Sequence, residues 1–256
     1  MSLVDTIRHD GAVHELRLAR PPVNALDPGL CTALREAVAS AVDGGAHGLV
    51  VSGGPKVFSA GMDVPFLLGL GDDRRALASA WEAFFDAARA IAACPVPVVA
   101  ALAGHAPAGG CVLALCCDYR VMAAGPFTIG LNETQVGLVA PEGVQHLLAR
   151  TVGPYRAERL LVAGELVEAE RALAMGLVDE LVGIDEVAHR ARVWLSSLLA
   201  LPRRPMLETR AIARADLVAA LHPDRIRLDT FLDAWTDPDT QAGLHALLAR
   251  LARPAG

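Results

Sequence analysis

The chain has 256 residues, of which 53% are hydrophobic, 20% are charged and only 4% are aromatic. This length allows a buried core in one or two domains, and the low aromatic content predicts a core of closely packed aliphatic side chains. The formal net charge of −6 argues against a nucleic-acid-binding protein, which would usually present a basic surface.

The N-terminal part of the chain predicts two strands followed by a helix. VDTIRH and VHELRLAR nearly alternate in polarity, and Asp10-Gly11 between them indicates a hairpin turn. Asp27 is a candidate N-cap, with Pro28 at the first position, for a helix that runs to about Val42. HGLVVSG follows as a short apolar strand, and GGPKVFSAGMD then forms a glycine-rich loop.

The middle of the chain has no Asp, Glu, Lys or Arg between residues 90 and 117. A stretch of this length is long enough to span a membrane, but prolines and glycines interrupt it. We therefore expect a helix over about 73–93, a buried strand in PVPVVAALAG, a turn at HAPAGG and a buried helix in CVLALCC, with no membrane segment. Further strands are predicted in DYRVMAA and, more briefly, in FTIG.

The last third of the chain reads mostly as helix. Helices are predicted over about 142–151, 154–163 and 168–175, and again over most of 185–253. Because strands alternate with helices in the first three-quarters of the chain, the sequence predicts an α/β core with parallel strands.

The cysteines and the first residues bear on cellular location. The five cysteines are odd in number and form no C-x-x-C pair. We therefore expect buried free thiols, with neither a disulfide framework nor a metal site. The segment MSLVDTIRHD lacks the apolar run of a signal peptide, which favours a cytoplasmic protein.

Three separated segments are candidates for chemistry. Two are glycine-rich, FSAGMD at residues 58–63 and GHAPAGGCVLA at residues 104–114, and in the second a glycine pair opens a helix whose first N–H groups lack helical partners. The third is Glu133, the only charged residue between Arg120 and Glu142. Such an acid is either a surface residue on a half-buried element or a carboxyl group whose pKa is raised for use.

Together these segments resemble the crotonase superfamily of enoyl-CoA hydratases and isomerases. PPVNAL, KVFSAGMD, AGHAPAGGCVLALCCDYRVMA, IGLNETQVGLVAP and AERALAMGLVDELV follow one another in the family's order and approximate spacing. PPVNAL, APAGGC, CDYRVMA and IGLNETQVGLVAP look most like the Δ3,Δ2-enoyl-CoA isomerases. The resemblance implies an α/β fold, a spiral of ββα units over residues 1–190, then a helical trimerisation region over 191–256. Homotrimers, or hexamers of two trimers, are expected.

The resemblance also implies a site that polarises an acyl-CoA thioester. The backbone N–H groups of Met62 and Gly109 would grip the thioester oxygen while an enolate forms. Glu133 would be the base that takes a proton from the adjacent carbon, and Asn132 would orient substrate or base. Substrate contacts are expected from Lys56, Ser59, Ala60, Gly61, Asp63 and Val64. No metal or redox cofactor is implied, because CoA enters as part of the substrate.

One departure from the family pattern favours isomerisation over hydration. Hydratases of the superfamily carry a second glutamate three residues after the oxyanion glycine, and here that residue is Val112. Moving a double bond needs one carboxylate that removes a proton at C2 and returns it at C4. The single Glu133 therefore implies conversion of a 3-enoyl-CoA to the trans-2-enoyl-CoA.

A second departure keeps different reactions open. After VAP the chain has Glu142-Gly143, where isomerases of this type carry bulky aromatic residues, so a different acyl pocket is expected. Glu142 is most simply a partner of the helix dipole. If it entered the pocket, a second carboxylate would be present and the reaction would be open again, with hydration by way of Glu142 as one alternative. The resemblance also leaves room for thioester hydrolysis and for a non-catalytic acyl-CoA-binding homologue.

Several residues near the motifs have structural interpretations as well. Asp63 is also a candidate cap for the next short helix, and Lys56, the only lysine of the chain, is equally well explained as a solvated loop residue. Structural roles are expected for Asn24, Trp81, Phe84, His105 and Asp118.

Overall fold

The computed structural model describes residues 2–251. Within that range the strands are, in chain order, β1 (Val4–His9), β2 (Val13–Leu18), β3 (Gly48–Ser52), β4 (Val98–Leu102), β5 (Ala106–Pro107), β6 (Tyr119–Ala123), β7 (Thr128–Gly130), β8 (Val167–Glu168) and β9 (Glu180–Val182). The segments that the sequence predicted as strand are all present, whereas β5, β8 and β9 were not predicted.

The helices complete the set of elements. They are α1 (Pro28–Asp43), α2 (Val64–Gly69), α3 (Arg74–Ala92), α4 (Gly109–Leu115), α5 (Glu142–Val152), α6 (Pro154–Ala163), α7 (Ala169–Ala174), α8 (Val187–Leu199), α9 (Arg203–Ala213), α10 (Ala215–Ala220), α11 (Pro223–Ile226), α12 (Leu228–Asp233) and α13 (Pro238–Leu251). Short 3₁₀ turns cover Asp10–Ala12, Glu133–Val136, Ile184–Glu186 and Ala234–Thr236. The predicted helices agree with these bounds to within a few residues.

The larger sheet brings both glycine-rich loops to one edge. Its strand order is β1-β2-β3-β4-β6-β9. The β1–β2 pair is antiparallel, as the predicted hairpin requires, and each following pair is parallel. The carboxyl ends of parallel strands share one edge of a sheet, so the loops that leave β3 and β4 start side by side there. All residues of β3 and β4 are buried, which agrees with the apolar run VVAAL of β4 and with β3, where only the buried Ser52 at the end is polar.

A second, three-stranded sheet links the glycine-rich turn to the Glu133 turn. Its order is β5-β7-β8, with Ala106 paired to Ile129 in parallel. Beyond that pair the Ala108 N–H donates to the Gly130 carbonyl at 2.8 Å. These strands have two or three residues each, which is too short for a period-two pattern to predict them.

Three helices near the site begin at an aspartate that caps the first turn. The Oδ1 atoms of Asp27, Asp63 and Asp73 accept hydrogen bonds of 2.8, 3.0 and 3.0 Å from the N–H groups three residues later. A side-chain acceptor at this position satisfies one of the N–H groups that a helix start leaves unpaired. The predicted caps at Asp27 and Asp63 are confirmed.

Helices cover both faces of the larger sheet. The main apolar core includes the buried faces of α1 and α3, and all five cysteines lie in it as buried free thiols, as predicted. On the other face Ala191 and Leu195 of α8 pack with the valines of β3 and β4. Helix α8 runs through position 190, so it continues from the sheet layer into the helical C-terminal region.

A partly buried ion cluster connects this C-terminal region to the sheet. Asp118 lies at the start of β6, and both of its oxygens accept hydrogen bonds of 2.8 Å from Arg210 of α9. Arg214 approaches the same carboxylate at 3.1 Å, and Asp118 also accepts from the Val98 N–H at 2.8 Å. The structural role predicted for Asp118 is therefore confirmed. None of the helices within residues 2–251 is both long and apolar enough to cross a membrane.

Replacing Asp118 is expected to destabilise the fold strongly. Arg214 is buried, and burial lowers the pKa of its guanidinium while the charge of Asp118 opposes that shift. Asp118→Asn leaves this cation without its counter-charge, and we expect a loss of about 3–5 kcal/mol in the free energy of unfolding. Urea denaturation at pH 7 measures it.

Glu208→Gln is the matched control. Glu208 pairs with Arg204 at 2.8 Å, but both side chains of that pair are exposed. Its loss should be less than about 0.5 kcal/mol. Equal effects of the two substitutions would show that the Asp118 cluster does not hold the C-terminal region in place.

Candidate active site

A cavity of about 900 Å³ opens where the two glycine-rich loops meet the Glu133 turn. Its walls also include side chains from α3, α5, α12 and α13. Of the residues predicted for the site, those that line this cavity are Ala60, Met62, Asp63, Val64, Gly109, Asn132 and Glu133. The fold therefore brings together residues that are separated by more than 70 positions in the chain.

The backbone around Met62 leaves its N–H group free of a partner among the described residues. Leu26 forms an isolated parallel bridge with Met62, in which Leu26 donates to the Gly61 carbonyl at 2.8 Å and accepts from the Asp63 N–H at 3.0 Å. These two bonds use the carbonyl of Gly61 and the N–H of Asp63, which belong to the residues before and after Met62. The peptide groups of a strand alternate in direction, so the Met62 N–H faces away from Leu26.

The Gly109 N–H lies beside the same loop. Gly109 is the first residue of α4, where an N–H group has no carbonyl one turn earlier to accept it. A Cβ atom at Gly61 would stand 3.1 Å from the Gly109 nitrogen, and Gly61 has a φ of +82°. Only glycine adopts this backbone without strain and permits this approach. The two glycine-rich loops are thus in backbone contact at the cavity.

Glu133 supplies a carboxyl group that is ready to gain or lose a proton. It begins a 3₁₀ turn, and its Oε2 atom is buried without a hydrogen-bond partner among the described residues. Burial raises the pKa of Glu133 from 4.5 to about 7, and its own backbone N–H opposes the shift. A carboxyl group with a pKa near neutrality is suited to general acid–base catalysis.

Glu133 and the start of helix α4 belong to one cavity, since Glu133, Gly109 and Val112 all line it. Cys111, two residues into this helix, is fully buried, and its pKa is raised first by burial and next by the charge of Glu133. The candidate base and one of the two N–H groups are therefore contributed by residues of the same cavity wall.

The other acid in the cavity wall is already engaged. Asp63 accepts a hydrogen bond of 2.7 Å from Arg20 and caps α2 through its other oxygen. Arg20 also contacts Asp27 at 3.1 Å. This arginine therefore links Asp63, the residue after Met62, to Asp27, the residue after Leu26. Among the described residues that line the cavity, Glu133 is the carboxylate that forms no ion pair.

The two positions at which the sequence departs from the expected family pattern have clear locations. Val112 is buried and lines the cavity one turn after Gly109. Glu142 is exposed at the first position of α5, and its neighbours Pro141 and Val144 line the cavity while it does not. Neither position therefore adds a second carboxylate to Glu133.

An aromatic wall closes one side of the cavity, and the sequence did not predict it as part of the site. Trp81, Phe84 and Phe85 of α3 and Phe231 of α12 all line the cavity. Trp81 and Phe231 are in edge contact, with ring centroids 4.6 Å apart. The core role predicted for Trp81 and Phe84 is confirmed by their burial, but the same rings also face the cavity. The sequence signal that could have indicated this wall was the spacing of three and four between Trp81, Phe84 and Phe85, in the helix that precedes the second glycine-rich turn.

Three residues predicted to contact substrate lie elsewhere. Ser59 is fully buried, and its hydroxyl donates to the Asn24 carbonyl at 2.8 Å and accepts from the Gly61 N–H at 3.3 Å. Gly61 itself packs against Gly109 behind the cavity wall. Lys56 is exposed outside the lining, although its carbonyl accepts from the His105 N–H at 3.0 Å. Ser59 and Gly61 thus shape the loop around Met62.

Two other residues have the structural roles expected of them. Asn24 accepts from the Arg20 N–H at 2.9 Å and donates to the Phe58 carbonyl at 3.0 Å, which fastens its loop to the glycine-rich loop. The His105 ring contacts Phe127, and its Nδ1 accepts from the Thr128 N–H at 3.0 Å. The edge contact with Phe127 is a packing role, as expected for His105. His105 lies outside the cavity lining.

Comparison with known proteins places these features in a family context. Residues 8–251 match the family model described as enoyl-CoA hydratase/isomerase. The mouse protein named enoyl-CoA delta isomerase 1, mitochondrial, is 34% identical over 245 residues, which are 94% of this chain and 84% of that protein. A probable enoyl-CoA hydratase of Mycobacterium avium is 34% identical over 222 residues, 82% of this chain and 84% of that protein.

A solved structure agrees along nearly the whole chain. The crystal structure of human mitochondrial delta3-delta2-enoyl-CoA isomerase superposes with a TM-score of 0.92 at 30% identity, and the match covers 99% of this chain and 100% of that one. The similarity therefore extends over the two glycine-rich loops, the Glu133 turn and the C-terminal helices.

The burial of Glu133 predicts a pH-dependent effect of Glu133→Gln on stability. The carboxyl is neutral in both states below 4.5, the unfolded value, but above about 7 the folded protein must hold a desolvated charge. The free energy of unfolding of the wild type therefore decreases as the pH rises from 4.5 to about 7. The glutamine variant should be more stable at pH 8 by about 1–3 kcal/mol, with no difference below pH 4.5. Chemical denaturation at both pH values measures this. Glu142→Gln, at an exposed position, is the control and should show no such pH dependence.

Proposed function

The chain belongs to the enoyl-CoA hydratase/isomerase family, and on this basis we propose that it moves the double bond of a 3-enoyl-CoA to the trans-2 position. The crotonase-type fold and the similarity to Δ3,Δ2-enoyl-CoA isomerases, both predicted from the sequence, are confirmed. The acyl-CoA thioester enters as substrate, and the proposed chemistry needs only groups of this chain.

In the proposed reaction the thioester oxygen accepts hydrogen bonds from the Met62 and Gly109 N–H groups. Negative charge grows on that oxygen when the C2 proton leaves, and fixed amide donors stabilise it, each typically contributing about 10²- to 10³-fold in rate. The carboxylate of Glu133 takes the proton from C2, and the resulting carboxylic acid returns one to C4. The C3–C4 double bond becomes a C2–C3 double bond, and Glu133 ends in its starting state.

A single observation carries the choice of isomerisation. Glu133 is the one carboxylate without an ion pair among the described residues of the cavity wall, and Val112 lines the cavity from α4 where a second glutamate would be needed. Hydration needs groups that hold and deprotonate a water molecule, whereas a proton shuttle needs one carboxylate near C2 and C4.

Hydration is the second candidate, because the similar protein of Mycobacterium avium is named as a probable hydratase. It would need Glu142 to reach the cavity, and the exposed position of Glu142 at the start of α5 argues against this.

We also propose that the chain forms homotrimers or pairs of trimers, and that it acts in the cytoplasm. The apolar side chains of Leu201 and Ile212, exposed on and beside α9, support an oligomer, because contacts between subunits would cover them. The division into a core over 1–190 and a helical region over 191–256 belongs to this proposal.

Replacing Glu133 tests the shuttle directly. Purified protein is incubated with a 3-enoyl-CoA and separately with a trans-2-enoyl-CoA, and the products are separated by chromatography. Glu133→Gln should lower kcat for isomerisation by about 10²- to 10⁴-fold, since the amide cannot accept the proton. Glu142→Gln should leave kcat unchanged. Rapid hydration of the 2-enoyl-CoA by the wild type, lost in Glu142→Gln, would overturn the proposal in favour of hydration.

The pH dependence of the wild-type rate tests the protonation state. Only the carboxylate form of Glu133 can accept the C2 proton, so kcat/KM should fall as the pH is lowered through about 7. Ultraviolet absorbance of the conjugated thioester follows the reaction. A profile that stays flat down to about pH 5 would contradict the raised pKa of the base.

A further inference from the structure

Helix α13 packs backbone to backbone against the turn that carries Glu133. A Cβ atom added at Gly243 would stand 2.6 Å from both the carbonyl carbon and oxygen of Val136, and 3.0 Å from the nitrogen of Gly137. Val136 is the last residue of the Glu133 turn. Only glycine at position 243 allows the helix to approach this closely.

The contact is reciprocal. Gly137 has a φ of +77°, and a Cβ atom there would stand 2.7 Å from the Cα of Thr240 and 2.8 Å from the carbonyl oxygen of Asp239. The Thr240 hydroxyl donates a hydrogen bond of 2.6 Å to the Gly137 carbonyl. Thr240 is buried, so water does not compete for this bond.

The opposite side of the turn is held by the end of α6. The Thr134 hydroxyl donates to the Leu161 carbonyl at 3.2 Å, and the Gln135 side chain donates to the Ala163 carbonyl at 3.3 Å. The turn closes on itself through a bond of 3.0 Å from the Leu138 N–H to the Glu133 carbonyl. A displacement of Val136 or Gly137 therefore moves the backbone of Glu133.

We propose that Gly243 and Thr240 are positioning residues for Glu133: the C-terminal helix, more than 100 residues further along the chain, sets the place and the solvent exposure of the base. The effect of these residues on catalysis rests on the proposed function, whereas their effect on the stability of the folded protein does not. Leu247 of α13 lines the cavity. In addition to covering the cavity, α13 would thus position Glu133.

The charged groups around Glu133 determine how a displacement of the turn would change the pKa of this carboxyl. Asp63 and Arg20, which are paired, and Arg250 of α13 line the same cavity. Burial, and no charged neighbour, is the cause that raises the pKa of Glu133. Opening the contact with α13 would admit water, and the pKa of the base would move back toward its ordinary value.

Gly243→Ala tests the proposal in the full-length protein. We expect kcat for the isomerisation to fall by about 10- to 100-fold, the loss expected from a base displaced by about 1 Å. The midpoint of the kcat/KM profile should move to lower pH. Gly183→Ala is the matched control, because a Cβ atom there meets nothing within 4 Å. It should change neither quantity.

Two further variants separate positioning from other roles. Thr240→Val removes the hydrogen bond to the Gly137 carbonyl without changing the shape of the side chain. If Gly243→Ala does not fold, this variant tests the positioning role. It should lower kcat more than it changes KM and shift the pH midpoint in the same direction. Leu247 lines the cavity and packs on the core, but it is not one of the residues of α13 that contact the Glu133 turn through Gly243 and Thr240, so Leu247→Ala should raise KM without moving that midpoint.

A readout independent of turnover distinguishes failure of this proposal from failure of the proposed function. The extra stability of Glu133→Gln at about pH 8 should shrink toward zero when measured in the Gly243→Ala or Thr240→Val background, because the carboxylate is then hydrated. If that difference keeps its wild-type size in both backgrounds, the positioning role is overturned, whatever reaction the wild type catalyses. If the difference shrinks but the wild type isomerises no 3-enoyl-CoA, the contact stands and the proposed reaction falls.

Discussion

The site depends on the backbone contact between Gly61 and Gly109. Gly61 adopts a positive φ, and a side chain there would press on the Gly109 nitrogen. Small residues at this point allow two loops from neighbouring parallel strands to meet without an intervening side chain. The Met62 and Gly109 N–H groups then border one cavity. Ser59, Asn24 and the Arg20–Asp63 pair hold the loop around Met62, so their contribution to the site is its geometry.

The same cavity holds a group that costs stability. The Glu133 Oε2 atom is buried without a partner among the described residues, and the raised pKa of this carboxyl measures how unfavourable its charge is there. A group of this kind persists when the surrounding structure holds it in place. Here the turn is held between α6 and α13 by hydrogen bonds to each helix, and Leu160 of α6 and Leu244 of α13 lie in the buried core. The partly buried ion pair of Asp118 with Arg210 joins α9 to the residue just before β6, and so connects the C-terminal helices to the sheet.

The shape of the cavity follows from residues far apart in the chain. The family resemblance implied a pocket different from that of related isomerases, because the aromatic residues expected after VAP are absent. Pro141 and Val144 line the cavity at that point, and rings from α3 together with Phe231 supply an aromatic wall. Phe231 belongs to the helical tail, whose sequence indicates helix without indicating which face meets the cavity. The pocket walls therefore come from both halves of the chain.

The sequence by itself determined most strands and helices of the core, the caps at Asp27 and Asp63 and the family, because periodicity, capping residues and ordered motifs are local properties. It also made Glu133 a candidate, since an isolated acid in an apolar stretch is visible without coordinates, while its expected role as a base came from the family resemblance. Only the tertiary structure decided which motif residues face the cavity: Ser59 turns inward to Asn24, Lys56 lies outside, and Glu142 is exposed to solvent. It alone joined α13 to the Glu133 turn. Contacts between distant segments depend on packing, and the close approach of Gly243 to Val136 leaves no local pattern in either segment.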